Sequence, residues 1–195
     1  MKLLHIDSSI TGDQSVSRQV TGRIAQALRR ASSRVTTTYR DLAGDPLPHH
    51  TLEHKDERDR AAAAASLEEF LDADVVVIGA PMYNFAIPSQ LKAWIDALLV
   101  AGRTFKYTER GPQGLAGGKR VIVASSRGGV YSNAEMAALD HQETYLRDVF
   151  RFVGIPDVEF VRAEGVAMGA DARQQAIESA LAYADALAEQ LPVAV

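Results

Sequence analysis

Five short stretches rich in Val and Ile recur along this chain, each followed by a segment with helical spacing, and that alternation leaves few folds open. The stretches are KLLHID (2–7), VTTTYRD (35–41), DVVVIGA (74–80), RVIVASS (120–126) and VEFVRAE (158–164). Runs of this kind suit strands of a parallel sheet covered on both faces. Helical segments are predicted over 15–33, 56–72, 88–101, 135–153 and 171–190. In the first of them Val16, Val20, Ile24, Ala27, Leu28 and Ala31 recur at helical spacing. The run Ala61–Ala65 in the second is strong helix former and needs no special role. Alternation of this sort builds a parallel sheet with right-handed crossovers and helices on both sides.

A chain of 195 residues predicts one domain, spanning 1–195, with a sizeable core. Its net charge of −4 argues against a partner such as nucleic acid. It has no cysteine, which excludes disulfides, thiolate catalysis and cysteine-ligated metals. No apolar run is long enough to span a bilayer, and MKLLHIDSS turns polar too soon for a secretory signal, so no membrane partner and a cytoplasmic location are expected. His49, His50 and His54 lie in the polar stretch 46–60 without the spacing of a zinc site, and no metal is expected there. The segment TFKYTERGPQGLAGGK (104–119) is the longest irregular stretch, suited to a hairpin, a lid or a subunit contact.

Five such strands suit the order 2-1-3-4-5, the flavodoxin-like arrangement of the α/β class, whose ligand sits beyond the carboxyl ends of the strands. Three loops there carry the informative residues. SSITGDQSVSRQV (8–20) offers hydroxyls at Ser8, Ser9, Thr11, Ser15 and Ser17 just where a helix begins. Hydroxyls and free helix N–H groups together suit a phosphate. A simple N-cap needs only one such residue. The loop is neither G-x-G-x-x-G nor G-x-x-x-x-G-K-[ST], which counts against a classical dinucleotide fold and a P-loop NTPase. PMYNFAIPSQ follows the third strand: Pro81, Met82, Tyr83, Asn84 and Phe85 can pack on a planar ring and address its polar edge, or Met82 and Phe85 can simply be core. SSRGGVYS (125–132) follows the fourth. Ser126, Arg127 and the amides of Gly128 and Gly129 can bind ring carbonyls, or the glycines can form an ordinary turn; Arg127 can steer a nicotinamide phosphate or simply cap a neighbouring carboxylate. One phosphate plus a polar-edged aromatic system describes FMN.

With these motifs the chain resembles the FMN-dependent NADH:azoreductases, flavodoxin-like enzymes also described as NADH:quinone reductases. Ser9 and Ser15–Ser17 (Ser15, Val16, Ser17) match the phosphate loop of that family, Met82–Phe85 one ring loop and Ser126–Gly129 the second. TFKYTERGPQGLAGGK, GIPDV and AEGVAMG extend the likeness along the chain. The resemblance implies bound FMN, transient NADH and ping-pong transfer of two electrons to azo compounds or quinones. It also implies a homodimer with the site at the subunit interface. It designates no catalytic acid or base. The stretch between the second strand and MYNF looks shorter than in many relatives, which bears on the choice of acceptor. Two other readings are a flavodoxin-type electron carrier and a flavin-binding sensor that docks a partner through the helix of Trp94.

Overall fold

A computed structural model describes residues 1–51 and 55–189, so His54 lies outside the described residues. Five strands form one parallel sheet: β1 (Lys2–Asp7), β2 (Thr36–Asp41), β3 (Val75–Pro81), β6 (Arg120–Ser126) and β7 (Val158–Ala163). Their order is β2-β1-β3-β6-β7, which is 2-1-3-4-5 among the strands of this sheet, as the sequence pattern predicts. Every residue of β3 is buried, as befits the central strand, whereas β2 lies at an edge with its first four residues exposed.

Helices cover both faces. Helix α1 (Val16–Ala31) and α5 (Ala170–Glu189) pack on one side, where Val20, Ile24, Leu28, Ala180 and Ala184 meet Leu3, Val77 and Ile122 of the sheet. Helices α2 (Glu57–Asp72), α3 (Ser89–Leu98) and α4 (His141–Phe152) pack on the other, burying Phe70, Leu91, Trp94, Leu146 and Phe150 against Leu4, Ile78 and Val123. Trp94 is fully buried in this core. Its helix therefore offers no exposed indole with which to dock a partner. The predicted helix over 135–153 is split. Ala137–Leu139 form a short 3-10 turn, and α4 starts only at His141, because the Asp140 carboxylate accepts from the amides of Gln142 and Glu143 and caps it.

Residues 104–119 do form a hairpin, β4 (Phe105–Thr108) with β5 (Gly111–Gly114). It leads into the amino end of β6 and docks on the turn after α4, where Ala116 N–H donates to Val153 O. That puts it at the opposite end of the sheet from the loops that follow the strands. It is not a lid over its own protomer's loops. Tyr107 on β4 is 75% exposed.

Candidate functional site

Parallel strands end together, so the loops after β1, β3 and β6 converge. Between them lies a cleft of about 590 Å³, within the range of small-molecule sites. Ser9, Thr11, Gln14, Ser15, Val16, Pro81, Met82, Tyr83, Ser126 and Gly128 line it, with Gln19, Val166 and Arg173.

The loop after β1 ends at the amino end of α1. Ser15 is the N-cap: its hydroxyl accepts from Arg18 N–H and pairs with the Ser17 hydroxyl at 3.0 Å. Among the described residues the Val16 and Ser17 amides have no hydrogen-bond partner, so two donors at the positive end of the helix remain for an anion. Ser17 is buried and supports Ser15 rather than lining the cleft. Arg18 reaches back to hold the loop, donating from Nη2 to Ser9 O at 2.9 Å and to Asp41 at 2.6 Å. Beneath the loop, Asp7 accepts from Thr21 and Tyr39. Burial pushes the Asp7 carboxyl up, but His5, Thr21 and Arg18 together bring it below the usual carboxylate range. Burial, with Asp7 beside it, pushes the Tyr39 phenol up to about 12.

The loop after β3 makes a tight turn. Tyr83 and Ala86 exchange backbone hydrogen bonds at 2.9 and 3.0 Å around Asn84 and Phe85. Both central residues have positive φ, 49° and 70°. That is a type I′ pattern, usually filled by Asn and Gly; Asn84 suits it, whereas Phe85 is strained there. The Asn84 and Phe85 amides have no partner among the described residues. Tyr83 does more than wall the ring side: its hydroxyl accepts from Ile10 N–H and pairs with Ser9 Oγ, both at 3.2 Å, and so ties this loop to the first. Asn84 sits in a second cavity beyond Met82 and Tyr83, with Ile10, Ile87 and Pro88. Phe85 is 44% exposed and meets the edge of Tyr131, with ring centroids 6.3 Å apart. Phe85 is therefore not core.

The loop after β6 is held differently. The carbonyls of Arg127, Gly128 and Gly129 accept from the amides of Val166, Ala167 and Gly165. The Gly128 and Gly129 amides have no partner among the described residues. Gly128 lines the cleft; Gly129 does not. The expectation that the Arg127 side chain addresses a ring is corrected. Its guanidinium is 1% exposed and pairs with Asp140, Glu143 and Glu164 at 2.9, 2.5 and 3.1 Å. It also donates from Nε to Ser125 and Gln142. A planar fork buried among three carboxylates is committed to them, so the carboxylate-capping alternative holds, and Arg127 does not line the cleft.

Several lining residues have no signal in the sequence pattern. Thr11 is one of five hydroxyls in its loop, and Gln14 and Gln19 stand out in no motif. Arg173 comes from the start of α5, and its Nη2 donates to Gln14 O at 2.9 Å. It is the one charged side chain among the described lining residues. Only tertiary structure joins it to a loop 159 positions away. Among the described residues no cluster of His, Asp or Glu is arranged to hold a metal.

This donor set suits FMN. Neutral hydroxyls and free helix amides stand where a phosphate would bind, and unpaired loop amides beside Met82 and Tyr83 stand where a flat heterocycle would. Comparison with known proteins points the same way. Residues 1–188 match the model of a family described as Flavodoxin_2, flavodoxin-like fold. An FMN-dependent NADH:quinone oxidoreductase 1 of Xanthomonas axonopodis pv. citri is 56% identical over 185 residues, covering 93% of this chain and 94% of the relative. An FMN-dependent NADH:quinone oxidoreductase of Azospirillum brasilense is 54% identical with both chains fully covered, across 209 aligned positions, so this chain of 195 residues is the shorter at one place or more. The crystal structure of an FMN-dependent NADH-azoreductase from Bacillus anthracis str. Ames Ancestor in complex with FMN superimposes with a TM-score of 0.87 at 28% identity, covering 97% of this chain and 98% of that one.

Proposed function

This chain belongs to the flavodoxin-like family that contains the FMN-dependent NADH:quinone oxidoreductases, and from that premise we propose that the cleft beyond β1, β3 and β6 is its FMN site. The protein is an FMN-dependent NADH:quinone oxidoreductase. The observation that carries the site is the unpaired backbone amides of Val16 and Gly128 in the cleft lining, with further unpaired amides beside them on the same three loops: Ser17 on the first, Asn84 and Phe85 on the second, Gly129 on the third.

When bound, FMN supplies the two-electron chemistry between NADH and the acceptor. The residues of the chain bind and orient. Ser9, Ser15 and the amides of Val16 and Ser17 hold the phosphate; Ser17 contributes its N–H while its hydroxyl braces Ser15. Pro81, Met82 and Tyr83 form the wall for the ring, and Ser126 and Gly128 address its polar edge, with the amides of Asn84, Phe85 and Gly129 beside them; the Arg127 backbone, its N–H on Ala163 O and its carbonyl taken by Val166 N–H, holds the loop in place. Fixed N–H dipoles there stabilise negative charge on the ring. Arg173 adds a positive charge beside the phosphate loop.

The acceptors are quinones and azo compounds, entering by the same open mouth that admits NADH. The loops at this end of the sheet carry exposed apolar side chains, Ile10 and Met168 at 64% each, with Phe85 and Val130. Such a surface suits burial against a second copy, and the working form is a homodimer. No helix among the described residues is long and apolar enough to cross a membrane, and the cytoplasm is the proposed location. The chain acts as one domain.

The test is the visible spectrum of the purified protein reconstituted with FMN, titrated anaerobically with NADH. The flavin bands should bleach and return on adding a quinone or an azo dye. A protein that neither retains nor rebinds FMN overturns this site. One that binds FMN but is not reduced by NADH is a carrier or sensor instead.

A further inference from the structure

Glu164, at the carboxyl end of β7, takes no part in lining the cleft, yet the third loop hangs on it. Its Oε1 accepts from Tyr131 N–H at 2.8 Å, from Ser132 N–H at 3.1 Å and from Arg127 Nη1 at 3.1 Å. Its Oε2 accepts from the Ser132 hydroxyl at 2.6 Å. The residues just after it, Gly165, Val166 and Ala167, supply the amides that occupy the carbonyls of 127–129. One carboxylate therefore fixes both the root of the loop, through Arg127, and its far side, through Tyr131 and Ser132. Between the two anchors lie Gly128 and Gly129, residues that left alone would sample many conformations.

We propose that Glu164 is a positioning residue for the cofactor: it splints the loop 127–132 so that the Gly128 amide, at the cleft, stays aimed at the polar edge of the ring. The inference rests on the reading of the cleft as the FMN site. Its consequence is thermodynamic. Donors held rigidly toward the ring edge bind the ring more tightly when it carries extra electron density, so a slack loop weakens FMN binding and lowers the reduction potential as well. Burial pushes the Glu164 carboxyl up, but hydrogen bonds from Ser132, Tyr131 and Arg127 with the Arg127 charge bring it below its ordinary value, so it stays an acceptor at neutral pH.

The experiment compares Glu164→Ala and Glu164→Gln with the parent protein. Three quantities are read: the FMN dissociation constant by fluorescence quenching, the midpoint potential of bound FMN, and hydrogen exchange at the Tyr131 and Ser132 amides without cofactor. Glutamine keeps an acceptor oxygen for the two amides, and its NH2 group can still meet the Ser132 hydroxyl. It should change affinity by less than about threefold. Alanine should speed exchange at both amides and weaken FMN about tenfold, with a comparable tenfold loss of preference for the reduced form, or about 30 mV for a two-electron couple. Ser132→Ala removes one exposed contact; it should shift the same readings in the same direction by about threefold, and it decides the matter if the alanine variant at 164 does not fold. An unchanged potential and affinity in the slack-loop variants overturns the proposal, whereas failure of the parent protein to bind FMN overturns the site assignment instead.

Discussion

The loops after β3 and β6 stand side by side at the cleft and offer the same kind of group, an unpaired backbone N–H, by opposite means. The first relies on backbone conformation. Asn84 and Phe85 sit at positive φ, and among the described residues the loop's outside hydrogen bonds are Met82 N–H on Ser126 O, His141 N–H on Phe85 O and those of the Tyr83 hydroxyl with the first loop. The second relies on electrostatics. Its residues have ordinary φ, and it is clamped by a charge cluster in which buried Arg127 and the part-exposed Arg147 and Arg162 balance Asp140, Glu143 and Glu164. Leaving an amide unpaired costs free energy in either case, and it persists only where neighbouring structure forbids the chain to relax. Strain can be localised in one turn, whereas this charge cluster is built from three segments distant in sequence.

The two means should break differently. Replacing Arg127 with Met leaves carboxylates buried without their shared cation. The expected cost is about 3–5 kcal/mol of unfolding free energy, the usual result of removing one partner from a buried ion pair. Chemical denaturation measures it directly. A loss below about 1 kcal/mol would mean that water and Arg162 neutralise the cluster, and the contrast with the strained loop would collapse.

The strained loop should respond in the opposite sense to backbone freedom. At Phe85, glycine should be more stable than alanine by about 1 kcal/mol, because alanine retains the left-handed penalty that glycine escapes. At Val130, where φ is ordinary, alanine should match or exceed glycine. Thermal melting of the four variants without cofactor settles the order. The same order at both positions would show that Phe85 carries no strain.

How far the sequence reveals this division depends on the range of the interactions involved. The strands and their order follow from local runs such as DVVVIGA, because apolar composition and length are properties of a few adjacent residues. The turn at Asn84 and Phe85 is half legible: MYNF marks a site, but nothing in a Phe announces positive φ. Arg127 is legible as a residue and not as a role. Its partners lie on α4 and after β7, 13 to 37 positions on, and no spacing rule joins them. Asp140 carries an N-cap signal in front of HQETYLRDVF, yet the preceding Ala and Leu residues hide it by continuing the helical pattern. Glu164 lies in AEGVAMG, a segment whose family likeness is visible while its work on the loop 127–132 is not.

The first loop supplies the smallest and most selective test, because the one charged side chain among the described lining residues, Arg173, stands beside it. In the proposed site the strained turn, the splinted loop and the amino end of α1 all offer neutral amides. Arg173 alone brings a cation to the lining, on a different helix and hydrogen-bonded to Gln14 O. Its charge is partly exposed and screened by salt, so an ion pair with a phosphate is worth about 0.2–1 kcal/mol. Arg173→Gln should weaken FMN by roughly two- to fivefold at low ionic strength and by almost nothing at high salt. Riboflavin, which lacks the phosphate, should bind both proteins alike. If the salt dependence of FMN binding survives the substitution, another cation reaches the phosphate, and the description of this cleft as a cradle of neutral amides fails at its first loop.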